Sequence, residues 1–214
     1  GAGLLAFLLS LFIKEEKRTI AAPPAKELLS FSFNRRTLVF SVCSLLLQLL
    51  SLSTALSFTS DYAVQIGGDT TQVGIASLCY IVACVLGSLF AGSKFVQTLS
   101  RKRLYPLLFC IPTLYCLALP FTGNILVLYV LQACFGFSCT ALLAPFMSEA
   151  VYAVPQHARA TAMGLYQGIY GLGMTVGPMI MGAVSGAAGL RVGYFVMAGF
   201  GVLGVALTAY AFSD

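Results

Sequence analysis

The 214 residues hold twelve Lys and Arg, seven Asp and Glu and one His, and these groups are clustered. Lys14, Lys17, Arg18, Lys26, Arg35 and Arg36 share one polar stretch. Arg101, Lys102 and Arg103 form a second group just after Lys94, and Glu149, His157 and Arg159 form a third. Between the groups run apolar segments of roughly 20 residues whose interiors contain no Asp, Glu, Lys, Arg or His. Acid–base and nucleophilic catalysis need a positioned acid, base or nucleophile, and these segments supply none. HExxH, Gly-x-Ser-x-Gly and Walker-type phosphate loops are absent from the sequence, so no catalytic residue, metal or cofactor is expected.

The polar side chains inside the apolar segments are neutral. Gln48, Gln132 and Gln167 are amides, which are costly in hydrocarbon unless they find a partner. Gln132, Gly136 and Thr140 recur at four-residue spacing and make a semi-polar helical stripe. These groups suit either of two tasks, hydrogen bonding to a neighbouring helix or lining a cavity that receives a neutral or amphipathic solute. Spacing alone leaves both open. Glu149 and Arg159 flank one connection, where an ion pair would clamp two helix ends in one conformation and release them in another. A solvated pair of that kind contributes under ~1 kcal/mol. His157, beside Pro155, reads as a solvated loop residue.

Helices that span a membrane are the elements that must position these groups. The hydrophobic fraction is 59%, the charged fraction 9% and the mean hydropathy +0.93, whereas soluble domains carry about 25% charged residues. In lipid every backbone group must pair internally. Segments of roughly 20 residues without alternation fit helices crossing ~30 Å of hydrocarbon, not barrel strands. The fold class expected is an all-α membrane protein, with six transmembrane helices near 37–58, 72–95, 104–121, 124–147, 160–186 and 191–212. Residues 1–13, apolar from Leu4 to Ile13, read as the end of a helix cut by the start of the chain. Residues 14–36 read as a loop whose Lys26–Phe31 part suits a short helix on the membrane surface. Residues 37–214 form the bundle. Bases before the first segment and in the second and fourth connections are cytoplasmic by the positive-inside rule, which places the C-terminus in the cytoplasm and leaves Arg191 as an exception. The same rule explains the net charge of +5 without nucleic acid. All seven Cys fall in apolar segments and read as buried, reduced thiols.

Segment 160–186 is dense in glycine. At 100° per residue Gly164, Gly168, Gly171, Gly182 and Gly186 share one face, while Gly173 and Gly177 share the opposite one. Small residues allow close backbone approach in lipid, so two neighbours are expected, in a static or a sliding contact. Pro178 removes a backbone donor and favours a kink.

The run from Arg159 through Met163-Gly164 to Gln167, followed by Gly173-x-x-x-Gly177-Pro178, resembles the eleventh helix of the major facilitator superfamily, especially its drug-exporter-like branch. A weaker likeness covers Ser93 to Arg103, which is similar to the family's loop between helices eight and nine. Its basic end is kept, with Ser93 and Ser100 in place of glycines and Gln97 in place of Asp. The resemblance implies twelve spans in two halves, of which this chain is the C-terminal half. It implies a secondary transporter, an exporter or permease of a small organic solute in the plasma (inner) membrane. The partners implied are the bilayer, the missing N-terminal half, the substrate and a coupling proton whose titrating group sits in that other half. Gln48, Gln132, Thr140, Tyr80, Tyr166 and Gln167 become the substrate-cavity candidates. Glu149, Arg159, Arg101 and Lys102 become the cytoplasmic gate candidates. The alternative is a non-transporting membrane scaffold or receptor-like subunit.

Overall fold

A computed structural model describes residues 25–212 of the chain. The expected helix end at 1–13 and the first part of the expected loop, 14–24, lie outside the described residues. A short helix, α1 (Ala25–Ser32), is followed by six helices long and apolar enough to span a membrane. They are Arg35–Gln65, Thr70–Gly92, Arg101–Phe121, Ile125–Tyr152, Gln156–Ala188 and Leu190–Ala211, called the first to sixth spans below. All six expected spans are present, and no strand occurs among the described residues.

Their ends differ from the sequence reading by up to seven residues. The first span continues to Gln65, so Asp61 lies on its last turns instead of in a loop. The fourth continues to Tyr152, which puts Glu149 on the helix itself. Caps explain several boundaries. Asn34 accepts from the Thr37 amide at 2.8 Å, Asp69 and Gln72 form a reciprocal capping box, and Asn124 accepts from the Leu126 amide. Gly189, at φ +89°, is the single residue between the fifth and sixth spans, a backbone conformation that favours glycine.

The first span is the hub. It packs against the fourth, fifth and sixth spans, and two-thirds (67%) of its apolar window is buried, against 22% for the second and 17% for the fifth. The second span packs along the fourth, and the third packs against the fourth and sixth. Glycines set the tightest seams. A Cβ at Gly136 would collide with the Tyr80 carbonyl oxygen, and one at Gly87 with the Phe137 carbonyl oxygen, so the second and fourth spans meet backbone to backbone. Phe40, Tyr105, Phe109, Phe146 and Phe212, from four spans, form an aromatic cluster near the end of the bundle that carries Arg35, Arg36 and Arg101. That end is called the basic end below.

The longest departure from α-helical winding within the described spans is not at Pro178, where the fifth helix continues from Arg159 to Ala188. It is in the first span, where Ser51–Phe58 winds as a π-helix. The local sequence explains it. Ser53, Thr54, Ser57 and Thr59 turn their hydroxyls back onto the carbonyls of Leu49, Leu50, Leu52 and Thr54. Two of those bonds reach back five residues, the π spacing. Hydroxyls that compete for helix carbonyls loosen the turn.

Candidate functional site

At the basic end, one carboxylate joins three spans. Glu149 is buried near the end of the fourth span. Its Oε1 accepts from Arg101 at 2.6 Å, at the start of the third span, and its Oε2 pairs with Arg36, at the start of the first. Thr37 adds a buried bond from its hydroxyl to the Ala150 carbonyl at 2.6 Å, and the Arg36 guanidinium lies 5.0 Å from the centre of the Tyr152 ring. A buried carboxylate needs such partners, because leaving its charge unpaired costs far more than the pair gains. The expected partner Arg159 is not part of this set, since its Nε donates to the Val154 carbonyl at 3.2 Å on its own connection. Arg36, which the sequence placed in a loop, takes that role. Lys102 lines a cleft together with Arg36, Arg101 and Glu149. The side chain of Gln97 lies outside the described residues.

Toward the other end, buried hydroxyls converge on the π-helical stretch. Tyr80 of the second span bonds Ser51 at 2.8 Å. Tyr115 of the third and Tyr194 of the sixth both meet the Thr59 hydroxyl, the latter at 3.2 Å. Gln132 of the fourth donates from Nε2 to the Ala55 carbonyl at 2.9 Å, while its Oε1 is buried without a partner among the described residues. Four spans are thereby tied to one irregular segment. Sequence reading found Tyr80 and Gln132 but not Thr59, Tyr115 or Tyr194. The signal available was the hydroxyl-rich run Ser51–Thr59.

The six cavity candidates separate into two groups. Tyr80 and Gln132 bond the first span, and the Thr140 hydroxyl donates to the Cys84 carbonyl across the seam between the second and fourth spans at 2.7 Å. Tyr166 is fully buried with its hydroxyl 2.7 Å from that of Ser44. These four hold helices together. Gln48 is half-buried beside the seam between the first and fifth spans, and Gln167 is exposed. Neither amide side chain bonds another described residue.

A model of the Major Facilitator Superfamily matches residues 42–214, which takes in most of the first span and all of the other five. The chain belongs to the major facilitator superfamily. It is therefore an integral membrane protein of a transporter family. No curated protein matches it.

In this facilitator chain the two glycine faces of the fifth span have different neighbours. Gly173 and Gly177 rest on the first span. A Cβ at Gly177 would stand 2.6 Å from the Leu49 carbonyl oxygen and 3.0 Å from its Cα, and one at Gly173 would overlap the Leu45 carbonyl oxygen. On the other face, Gly164, Gly168, Gly171 and Gly186 have nothing within 4 Å, and Gly182 has only the Phe58 ring at 3.6 Å. One face is a built helix seam and the other is open. The seven Cys are free thiols, three buried, three half-buried and Cys134 exposed on the fourth span. His157 is exposed, its ring edge-on to Phe31 with centroids 5.7 Å apart.

Proposed function

We propose that the protein is a secondary active transporter of a small organic solute, of the drug-exporter-like branch, working by alternating access in the plasma membrane. In this reading residues 37–214 are the C-terminal six-helix half, and Gly164, Gly168 and Gly171 face the other half. The open glycine face carries the proposal. A flat, unpartnered helix surface in a bundle whose other close helix seams are filled suits a moving contact with a second bundle. Gln48 and Gln167 are the two candidates whose amides remain available to a solute. The Glu149 cluster, at the cytoplasmic end in this reading, holds the first, third and fourth spans together as one body while that body rocks. No Asp, Glu, Lys, Arg or His lies in the middle of the described spans, so a coupling proton is assigned to the other half.

The test is transport by the full-length protein in proteoliposomes, with and without an ion gradient, for wild type and for Gly168→Leu. Gradient-dependent solute movement that Gly168→Leu abolishes, with folding intact, is the expected result. A protein that moves no solute under any gradient, or a Gly168→Leu variant that transports normally, refutes the reading.

A further inference from the structure

The cluster around Glu149 ties the first, third and fourth spans at the basic end, and Arg159 of the fifth span bonds its own connection instead. The start of the fifth span is held in another way, by α1. That helix packs on the Gln156–Ala158 turn and on the fifth span just beyond it. Leu28 packs over Val154, Ala158 and Ala162, which are buried yet stand apart from the main core. The Phe31 ring meets His157 edge-on. Ala162 lies about 20° from Gly173 around the helix, at 100° per residue. The fifth span is therefore covered on one face by two elements, by the first span at Gly173 and Gly177 and by α1 nearer the basic end.

Three features make the α1 contact easy to release. It is apolar: the Ser32 hydroxyl turns back to the Leu28 carbonyl at 2.8 Å, and no polar bond reaches from α1 to the described residues of the fourth connection or the fifth span. A small contact of this kind belongs to the low-stability end of a fold, where local opening is easy. Phe31 and Phe33 are exposed beside the ends of membrane spans, so the membrane interface offers α1 a second seat. Asn34 provides the joint. Its Nδ2 donates to the Phe31 carbonyl at 3.1 Å and its Oδ1 accepts from the Thr37 amide at 2.8 Å, so the first span keeps its cap when α1 turns away.

We propose that α1 is a releasable strap. Docked, it holds the start of the fifth span to the first. In the transport reading, on which this second part rests, α1 lifts off once per cycle and so acts as a brake on turnover.

Thiol labelling of the full-length protein reads the strap directly. Ala162→Cys places a thiol where the docked state leaves no exposed surface, so a membrane-impermeant maleimide reaches it only on release. Labelling above the background of native thiols should be slow. Leu28→Asp, which puts a charge into the apolar contact, should speed it about tenfold or more, while Cys43 and Cys116 in the core stay unlabelled. Leu28→Asp without the added Cys should raise turnover in proteoliposomes about threefold, as expected where a conformational step limits the rate. A gain is the telling result, because damage to a merely structural contact lowers turnover. Ala162→Cys that labels as fast as a free thiol, or a folded Leu28→Asp whose labelling stays within twofold, overturns the strap. Faster labelling with turnover unchanged or lower overturns the brake. A wild type that moves no solute refutes the transport reading and the brake with it, while the labelling still decides whether α1 releases. Leu28→Ala, a milder change, serves if elution profile and melting temperature show that Leu28→Asp does not fold.

Discussion

Gly177→Ala adds one methyl group at the tightest kind of contact in this bundle. Its carbon would stand 2.6 Å from the Leu49 carbonyl oxygen and 3.0 Å from the Leu49 Cα. An ordinary non-bonded contact needs about 3.5 Å, so the first and fifth spans must part by close to 1 Å. The obstructing atoms are backbone of the hub helix, and no rotamer change relieves them. A gap of that size forfeits a quarter to a half of the dispersion along the seam, and overpacking of this kind costs about 1–3 kcal/mol. Alanine also gains about 1 kcal/mol of helix propensity over glycine. That gain is shared by Gly168→Ala and Gly199→Ala, whose new methyls meet nothing within 4 Å. The difference between Gly177→Ala and these controls therefore isolates the seam, at about 1–3 kcal/mol. Equilibrium unfolding in mixed micelles measures it. If Gly177→Ala matches the controls within about 0.5 kcal/mol, the ordinary scatter of neutral surface changes, the two spans do not meet as described.

Three further changes and one control probe the two polar clusters. Glu149→Gln should lower stability by about 1 kcal/mol, because Arg36 and Arg101 are roughly half exposed and water screens the lost charge; Arg159→Ala, which removes only a bond to the Val154 carbonyl, should cost less in the same unfolding assay. Thr59→Val keeps the shape but strips the buried tyrosines Tyr115 and Tyr194 of a shared partner, for a loss of about 2–4 kcal/mol by denaturant titration. Gln132→Leu deletes the bond to the Ala55 carbonyl and also a buried oxygen without a partner, so stability should stay within about 1 kcal/mol of wild type.

The six spans were legible because lipid imposes a length, and a run of roughly 20 apolar residues has few other readings. The opposed glycine faces were legible because 100° per residue is a property of the helix itself. What lies against each face was not. Lipid, a neighbouring helix and a second bundle accept the same small and apolar residues, so composition cannot rank them. The polar stripe Gln132-Gly136-Thr140 shows the same limit. Its period was readable, yet the structure turns Gln132 to the first span and Thr140 to the second. The partner of Glu149 escaped for a different reason. Arg36 is 113 residues away, and chain proximity favoured Arg159.

The π-helical stretch shows how a bond-rich break differs from a proline break. Proline loosens a helix by deleting a donor, and Pro178 does so inside a span that stays α-helical. In Ser51–Phe58 no donor is lost. Hydroxyls take over carbonyls locally, and Tyr80, Tyr115, Tyr194 and Gln132 reach in from four other spans. Rewinding this segment would require those bonds to be exchanged together, so its geometry is set by the packing of the whole bundle and not by the first span alone. The Glu149 cluster ties the basic end of the same span to the third and fourth. With both ends of the hub helix fixed to its neighbours by buried polar bonds, and its middle seamed to the fifth span by glycine, motion within the six-helix unit is costly. In the proposed transport reading, the low-cost motion left to it is that of the unit as a body, along the face where Gly164, Gly168 and Gly171 meet nothing of their own chain.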